Sequence, residues 1–387
     1  MASFNTAAGF RAAFLPMPTV APNNFFSHRR SFTEIKQELL LPFFDAWCDL
    51  QVTRLKEQTV QGIFYTDLHA GSKQSAVSDT KTALCKSILT RPKLNQQAHT
   101  FYYSKYKDVL EQVQQQLLGC AYCAELQHSP KSLATPENKT LPGELAGAGH
   151  ASLVFADPFA SAFAHGVAKQ AILEWRSDLF MLISPDHVTK TMAGKKQPEI
   201  LARLFADQLP QVQRFCQLEK DKARRQQFIL EQFESVLRSN GYTSLLYKIN
   251  LPNREQAAFY LLFASADIKV YRGFKEHMMA YSVSREDGVP EWSAHKFVPA
   301  QFSLFVEEPA YTIMKLVKRL TINQGQYKYK SIGKIYELDN PGTAYCLANY
   351  LTAFEQMQRD GLVEFLNAST RQTTKCPTDT SIVKFKT

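Results

Sequence analysis

A chain of 387 residues suits one large domain with an appendage or two domains, and 45% hydrophobic with 12% aromatic residues excludes a disordered protein. The net charge of +9 leans toward polyanionic partners, and seven cysteines over this length exclude a small disulfide-stapled scaffold. No apolar run approaches the ~20 residues that span a bilayer, so the expectation is a cytoplasmic protein with no membrane partner.

Residues 1–30 hold Arg11, Arg29 and Arg30 and no acid, and read as an N-terminal extension. Ser31-Phe32-Thr33-Glu34 is a capping-box pattern, which predicts a helix to about residue 56 with a bend at Pro42. Gly62 then opens a buried strand that runs through Asp67 into a turn, Leu68-His69-Ala70-Gly71-Ser72-Lys73. In doubly wound α/β sheets that turn is where a cofactor meets the first strand.

A second strand is predicted over 98–104, followed by an amphipathic helix carrying Tyr106, Val109, Leu110, Val113 and Leu117 on one face. A short strand is expected near 120–126. Cys120-Ala121-Tyr122-Cys123 lacks a second CxxC or a His pair, so no metal site is expected. Residues 128–149, rich in Pro, Gly, Ser and Thr, read as a loop.

Apolar strands follow at 151–156, ending in Asp157-Pro158-Phe159-Ala160, and at 178–184, ending in Pro185-Asp186-His187. Both place polar groups at the carboxyl end, where ligands bind in open parallel sheets. Residues 190–238 read as helical and stop at Asn240-Gly241. Strands at 243–250 and 257–265 are separated by six residues, too few for a crossover helix, so they must be antiparallel neighbours. A mostly parallel sheet ending in an antiparallel hairpin is the Rossmann-like sheet of class I methyltransferases. This shifts the expected cofactor from a dinucleotide to S-adenosylmethionine.

From Tyr311 onward there are eleven Lys/Arg against six Asp/Glu. Helices predicted at 310–320, 331–338 and 344–360, then strands at 362–366 and 382–385, give a winged-helix order. The expected domains are 31–300, an α/β methyltransferase-like domain, and 301–387, a basic winged-helix-like domain.

Four pieces in order resemble the three-Cys-motif partner (TcmP) family of bacterial methyltransferase-like proteins, over about residues 31–279. They are Thr33-Glu34 with Lys36; Tyr65-Thr66-Asp67-Leu68-His69-Ala70-Gly71; Asp157-Pro158-Phe159; and Tyr260-Leu261-Leu262-Phe263-Ala264-Ser265 with Lys275 and Met278. The resemblance implies S-adenosylmethionine held by Asp67, His69, Gly71 and Ser72. It implies Asp157 and Phe159 facing the reacting methyl. Implied partners are a three-Cys-motif protein and DNA or RNA. The chain departs from the family in having His69 for Phe, Ala160 for Gly, and no acid after Phe101-Tyr102-Tyr103-Ser104 to bind ribose. Those departures carry the alternative expectation, a catalytically degenerate partner or scaffold protein.

Overall fold

The computed structural model describes residues 22–69, 80–104, 106–133, 140–193, 202, 204–252, 254, 256–296 and 309–386. The chain divides into two compact units, Met1–His277 and Met278–Thr387.

In the first unit, helix α1 (Phe32–Lys56) begins with both halves of the predicted capping box: the Ser31 hydroxyl accepts from Glu34 N–H, and the Glu34 carboxylate accepts from Ser31 N–H. Pro42 lies inside α1. Strand β1 (Gly62–Asp67) is buried at every position, as expected of a strand covered on both faces. Then come α2 (Thr80–Leu89), β2 (Ala98–Tyr103), α3 (Lys107–Gly119), β3 (Lys131–Leu133), α4 (Thr140–Gly147), β4 (His150–Ala156), α5 (Ala162–Leu173) and β5 (Asp178–Ile183). Three helices, α6 (Pro185–Ala193), α7 (Leu209–Leu218) and α8 (Lys222–Ser239), lead to the hairpin β6 (Thr243–Asn250) and β7 (Ala257–Ser265), and α9 (Ile268–Met279) follows.

The seven strands form one sheet in the order β3-β2-β1-β4-β5-β7-β6. Strands β1 to β5 pair in parallel, and β7 runs antiparallel to both β5 and β6. The short connection at 251–256 therefore has the consequence drawn from its length.

Two layers of helix sandwich this sheet. On one face Phe64, Phe101, Val154, Met181 and Leu262 pack with Val167, Val188, Ile229 and Phe233 of α5, α6 and α8. On the other, α1 sets Phe43 against Phe180, Phe263 and Phe274, and Phe44 against Tyr65.

Two local expectations are corrected. The segment near 120–126 is a one-turn helix, Ala121–Ala124, rather than a strand, and the edge strand lies further on at β3. The expected loop at 128–149 contains β3 and α4. A three-residue strand reading Lys-Ser-Leu carries no periodicity, and its parallel pairing to Phe101–Tyr103 supplies what the sequence lacks.

A polar tie fastens α1 to the sheet. Trp47 Nε1–H donates to Asp178 Oδ2 at 2.7 Å, and Ser265 Oγ donates to Asp178 Oδ1 at 2.5 Å. Burial outweighs both donors and the Arg54 charge, pushing the Asp178 carboxyl up to about 6. A carboxyl raised above its unfolded value binds its proton more tightly when folded. Its contribution is therefore fully present below about pH 4 and lost as pH rises through 6, an effect of roughly 3 kcal/mol for a two-unit shift. Asp178→Asn is expected to remove that slope. Urea midpoints of both proteins at pH 4 and pH 7 measure it, and an unchanged slope in the variant overturns the assignment.

The second unit holds α10 (Ile313–Ile322), α11 (Ile332–Asp339) and α12 (Leu347–Arg359), followed by β8 (Val363–Leu366), β9 (Thr373–Thr374) and β10 (Ile382–Phe385). The strands make an antiparallel sheet in the order β10-β8-β9, with β10 pairing β8 as expected. Leu316, Leu320, Ile335, Tyr350, Phe354, Phe365 and Val383 form its core. Asp339 is the polar centre of that core, accepting from Arg319 Nε, Tyr327 Oη and Tyr350 Oη at 2.6–2.7 Å.

Candidate functional site at the carboxyl edge of the sheet

Strand order reverses between β1 and β4, and the crevice above such a reversal is where open α/β sheets bind ligands. Asp67 ends β1 and Asp157 follows β4 directly beside it; Leu68 N–H donates to Phe155 O at 2.9 Å and holds the two strand ends together.

Asp67 is completely buried. Its Oδ2 lies 2.5 Å from Lys36 Nζ, and its Oδ1 accepts His69 N–H at 2.9 Å. Burial alone would raise this carboxyl, but the Lys36 and Lys81 charges and the two hydrogen bonds bring it below the usual carboxylate range. Lys36 belongs to the apolar stripe of α1 with Leu39, Leu40 and Phe43, and its ammonium sits 4.1 Å from the centre of the Phe155 ring. A lysine on a buried stripe needs a counter-ion, and that was the readable signal for this pair.

Lys81, in the first turn of α2, is also buried and lies near Asp67. Burial, then the Lys36 charge, pull its ammonium down to about 8 against the opposing pull of Asp67.

His69 packs on Phe32 with ring centres 4.4 Å apart and the planes tilted by 49°. Burial and the Lys36 charge lower its imidazole to about 4, although Asp67 and Asp157 act the other way. The ring is therefore neutral at pH 7. A base whose folded value lies below its unfolded 6.5 stabilises the fold fully above that value, and the contribution is lost as pH falls through 4. Nitrogen NMR of the imidazole is expected to show a midpoint near 4; one near 6.5 overturns this environment.

Asp157 is saturated as well. Oδ1 accepts Phe159 N–H at 2.9 Å; Oδ2 accepts Ser184 N–H at 3.0 Å and faces His187 Nδ1 at 2.6 Å. The carboxylate is 2% exposed, whereas the His187 side chain is 38% exposed. Nδ1 faces Asp157, and Nε2 has no partner among the described residues. His187 is placed by α6, whose first residue is Pro185, a favoured opening position.

These positions revise the roles implied by sequence. Asp157 does not point a free oxygen at a substrate; it orients His187. Phe159 is corrected more strongly: it is 3% exposed and packs on Phe205 and Phe233 in the core, where it offers no ring face to a ligand. Gly71 and Ser72 lie outside the described residues. At the end of β2, Ser104 supplies only a hydroxyl, which accepts Tyr106 N–H.

The sheet is class I methyltransferase-like. That assignment rests on strand order and direction, with β7 inserted antiparallel between β5 and β6. Among solved structures, the CurJ carbon methyltransferase matches at 10% identity and a TM-score of 0.28, over 61% of this chain and 57% of that one. The CMeT domain of the citrinin polyketide synthase matches at 12% identity and a TM-score of 0.28, over 61% and 55%. The chain thus spans a little over half the length of each. No protein-family model and no curated protein matches it.

Chemically, the carboxyl edge offers a half-exposed histidine oriented by a buried carboxylate, beside a buried lysine–aspartate pair. Among the described residues no cluster of His, Cys, Asp or Glu is arranged to hold a metal ion. The dyad can take a proton from a nucleophile brought to Nε2.

Proposed function

We propose that the chain is an S-adenosylmethionine-dependent methyltransferase in which His187, oriented by Asp157, is the general base toward a nucleophile with a removable proton. The carrying observation is the 2.6 Å Asp157–His187 contact at the carboxyl edge, next to the strand-order reversal. S-adenosylmethionine would supply the methyl on an already activated sulfonium, leaving the protein to align the nucleophile and accept its proton. Calorimetric titration of the full chain with S-adenosylmethionine and S-adenosylhomocysteine tests the reading. Saturable binding supports it, and no heat at millimolar ligand with the protein folded overturns it.

A specific feature favours a second reading, a methyltransferase-fold partner protein without chemistry. Lys36 already neutralises Asp67, the acid that would meet the amino group of the cofactor, and Ser104 replaces a ribose-binding acid. In that reading the chain is a member of the three-Cys-motif partner family and its contacts are with protein. Methyl transfer to any substrate that is lost in His187→Ala excludes it.

The second unit is read as winged-helix-like from its order of three helices and antiparallel strands. A nucleic-acid partner rests on its excess of lysine and arginine, whereas the exposed positions Ala348, Thr352, Glu355 and Arg359 of α12 include one anion and one cation. Binding of the full chain to duplex DNA should weaken steeply between 50 and 200 mM salt, about tenfold or more, if phosphates are engaged; salt-insensitive or absent binding removes the nucleic-acid partner.

A further inference from the structure

Cys85 and Cys123 take no part in the dyad, yet they make an unusually close contact. Their sulfurs are 2.8 Å apart, well inside the separation of two non-bonded sulfur atoms, and both residues are buried. Cys85 is carried by α2; Cys123 is carried by the one-turn helix Ala121–Ala124. Cys120 is the N-cap residue of that short helix, and its thiol is near enough to lower that of Cys123, against the larger opposing effects. It is the most accessible of the three at 8% exposure. The only close cysteine pair in the sequence, 120 and 123, therefore has a third member 35 residues upstream that reading the chain did not reveal.

We propose that Cys85 and Cys123 form a reversible disulfide, with Cys120 as the thiol through which it is made and reduced. The oxidant is a low-molecular-weight disulfide such as oxidised glutathione. The Cys120 thiolate attacks one of its sulfurs and releases one glutathione thiol. Cys123 then displaces the second glutathione from Cys120, and Cys85 attacks the Cys123 sulfur, returning Cys120 to a thiol. Two protein thiols lose two electrons and two protons in all, and one external disulfide becomes two thiols.

The bond would fix α2 to the segment after α3. Lys81 lies one helical turn before Cys85 on the same helix, so the covalent tie anchors the element that holds that cation near Asp67. The contact to Cys85, with burial, raises the Cys123 thiol far above its ordinary range. This makes Cys123 a poor first nucleophile and leaves the opening step to Cys120.

The full chain is incubated with oxidised glutathione, quenched with acid, alkylated with iodoacetamide after unfolding, digested and mapped by mass spectrometry. Exposed Cys376 serves as the internal control, since it should carry glutathione. The expected product joins the Cys85 and Cys123 peptides, is released by dithiothreitol, and raises the melting temperature by on the order of 5 °C. Cys120→Ala is expected to give the same link at least tenfold more slowly. The proposal is overturned if Cys85 and Cys123 are both alkylated when Cys376 is fully glutathionylated, or if the stable product joins Cys120 to Cys123. In Cys85→Ala the melting shift should vanish; should that variant not fold, the map of the unaltered chain decides alone. None of these outcomes depends on whether the chain binds S-adenosylmethionine.

Discussion

Lys36→Ala should destabilise the first unit by about 3–5 kcal/mol, because it strands the Asp67 carboxylate in a site with no solvent access. The cost belongs to the orphaned charge rather than to the pair. Adding Asp67→Asn to Lys36→Met should therefore recover most of the loss, since a neutral amide opposite an apolar chain leaves no buried ion. Lys81 supplies a residual positive charge near Asp67 and sets the lower end of the range. Urea denaturation of Lys36→Met, Asp67→Asn and the double variant measures the coupling. Additive losses would show that the pair is not a unit. The same series bears on the proposed cofactor: in Lys36→Ala a ligand with a primary ammonium can take the vacated place on Asp67. S-adenosylmethionine should then raise the melting temperature of the variant more than that of the unaltered chain.

The second large effect is expected at the dyad. If the chain transfers methyl groups, His187→Ala should lower the rate by about 100- to 10,000-fold while leaving S-adenosylmethionine affinity within a factor of a few. Asp157→Asn should act in the same direction through tautomer and orientation, because the amide cannot favour Nδ1–H as a carboxylate does. A rate unaffected by His187→Ala would remove the base and leave pure alignment as the mechanism.

Much of the fold was readable because its strands are covered on both faces and so appear as unbroken apolar runs. Residues 62–67, 151–156 and 178–183 are such runs, and the six-residue connection before Ala257 forced an antiparallel hairpin. Strand β3 was not readable, since three residues have no period and its existence depends on the β2 edge. The site divides along the same line. Asp67 and Asp157 stand at strand ends that hydropathy locates. The partners that define their roles, Lys36 and His187, lie 31 and 30 residues away on helices α1 and α6, and only the placement of those helices against the strand ends brings them into contact. Phe159 was misplaced because an aromatic after a strand end looks the same whether it faces a ligand or turns into the core.

The tie between α1 and Asp178 bears on the order in which the molecule is built. Trp47 and Asp178 are 131 residues apart in sequence, and Asp178 and Ser265 are 87 apart. Closing loops of that size is costly in chain entropy, so these contacts are expected to form after the neighbouring parallel strands have paired. Weakening them, as in Trp47→Phe, should then speed unfolding and leave the refolding rate nearly unchanged. Helix α1, which precedes every strand of its sheet in the chain, would thus be among the last elements to lock, and its grip would set how long the native state survives.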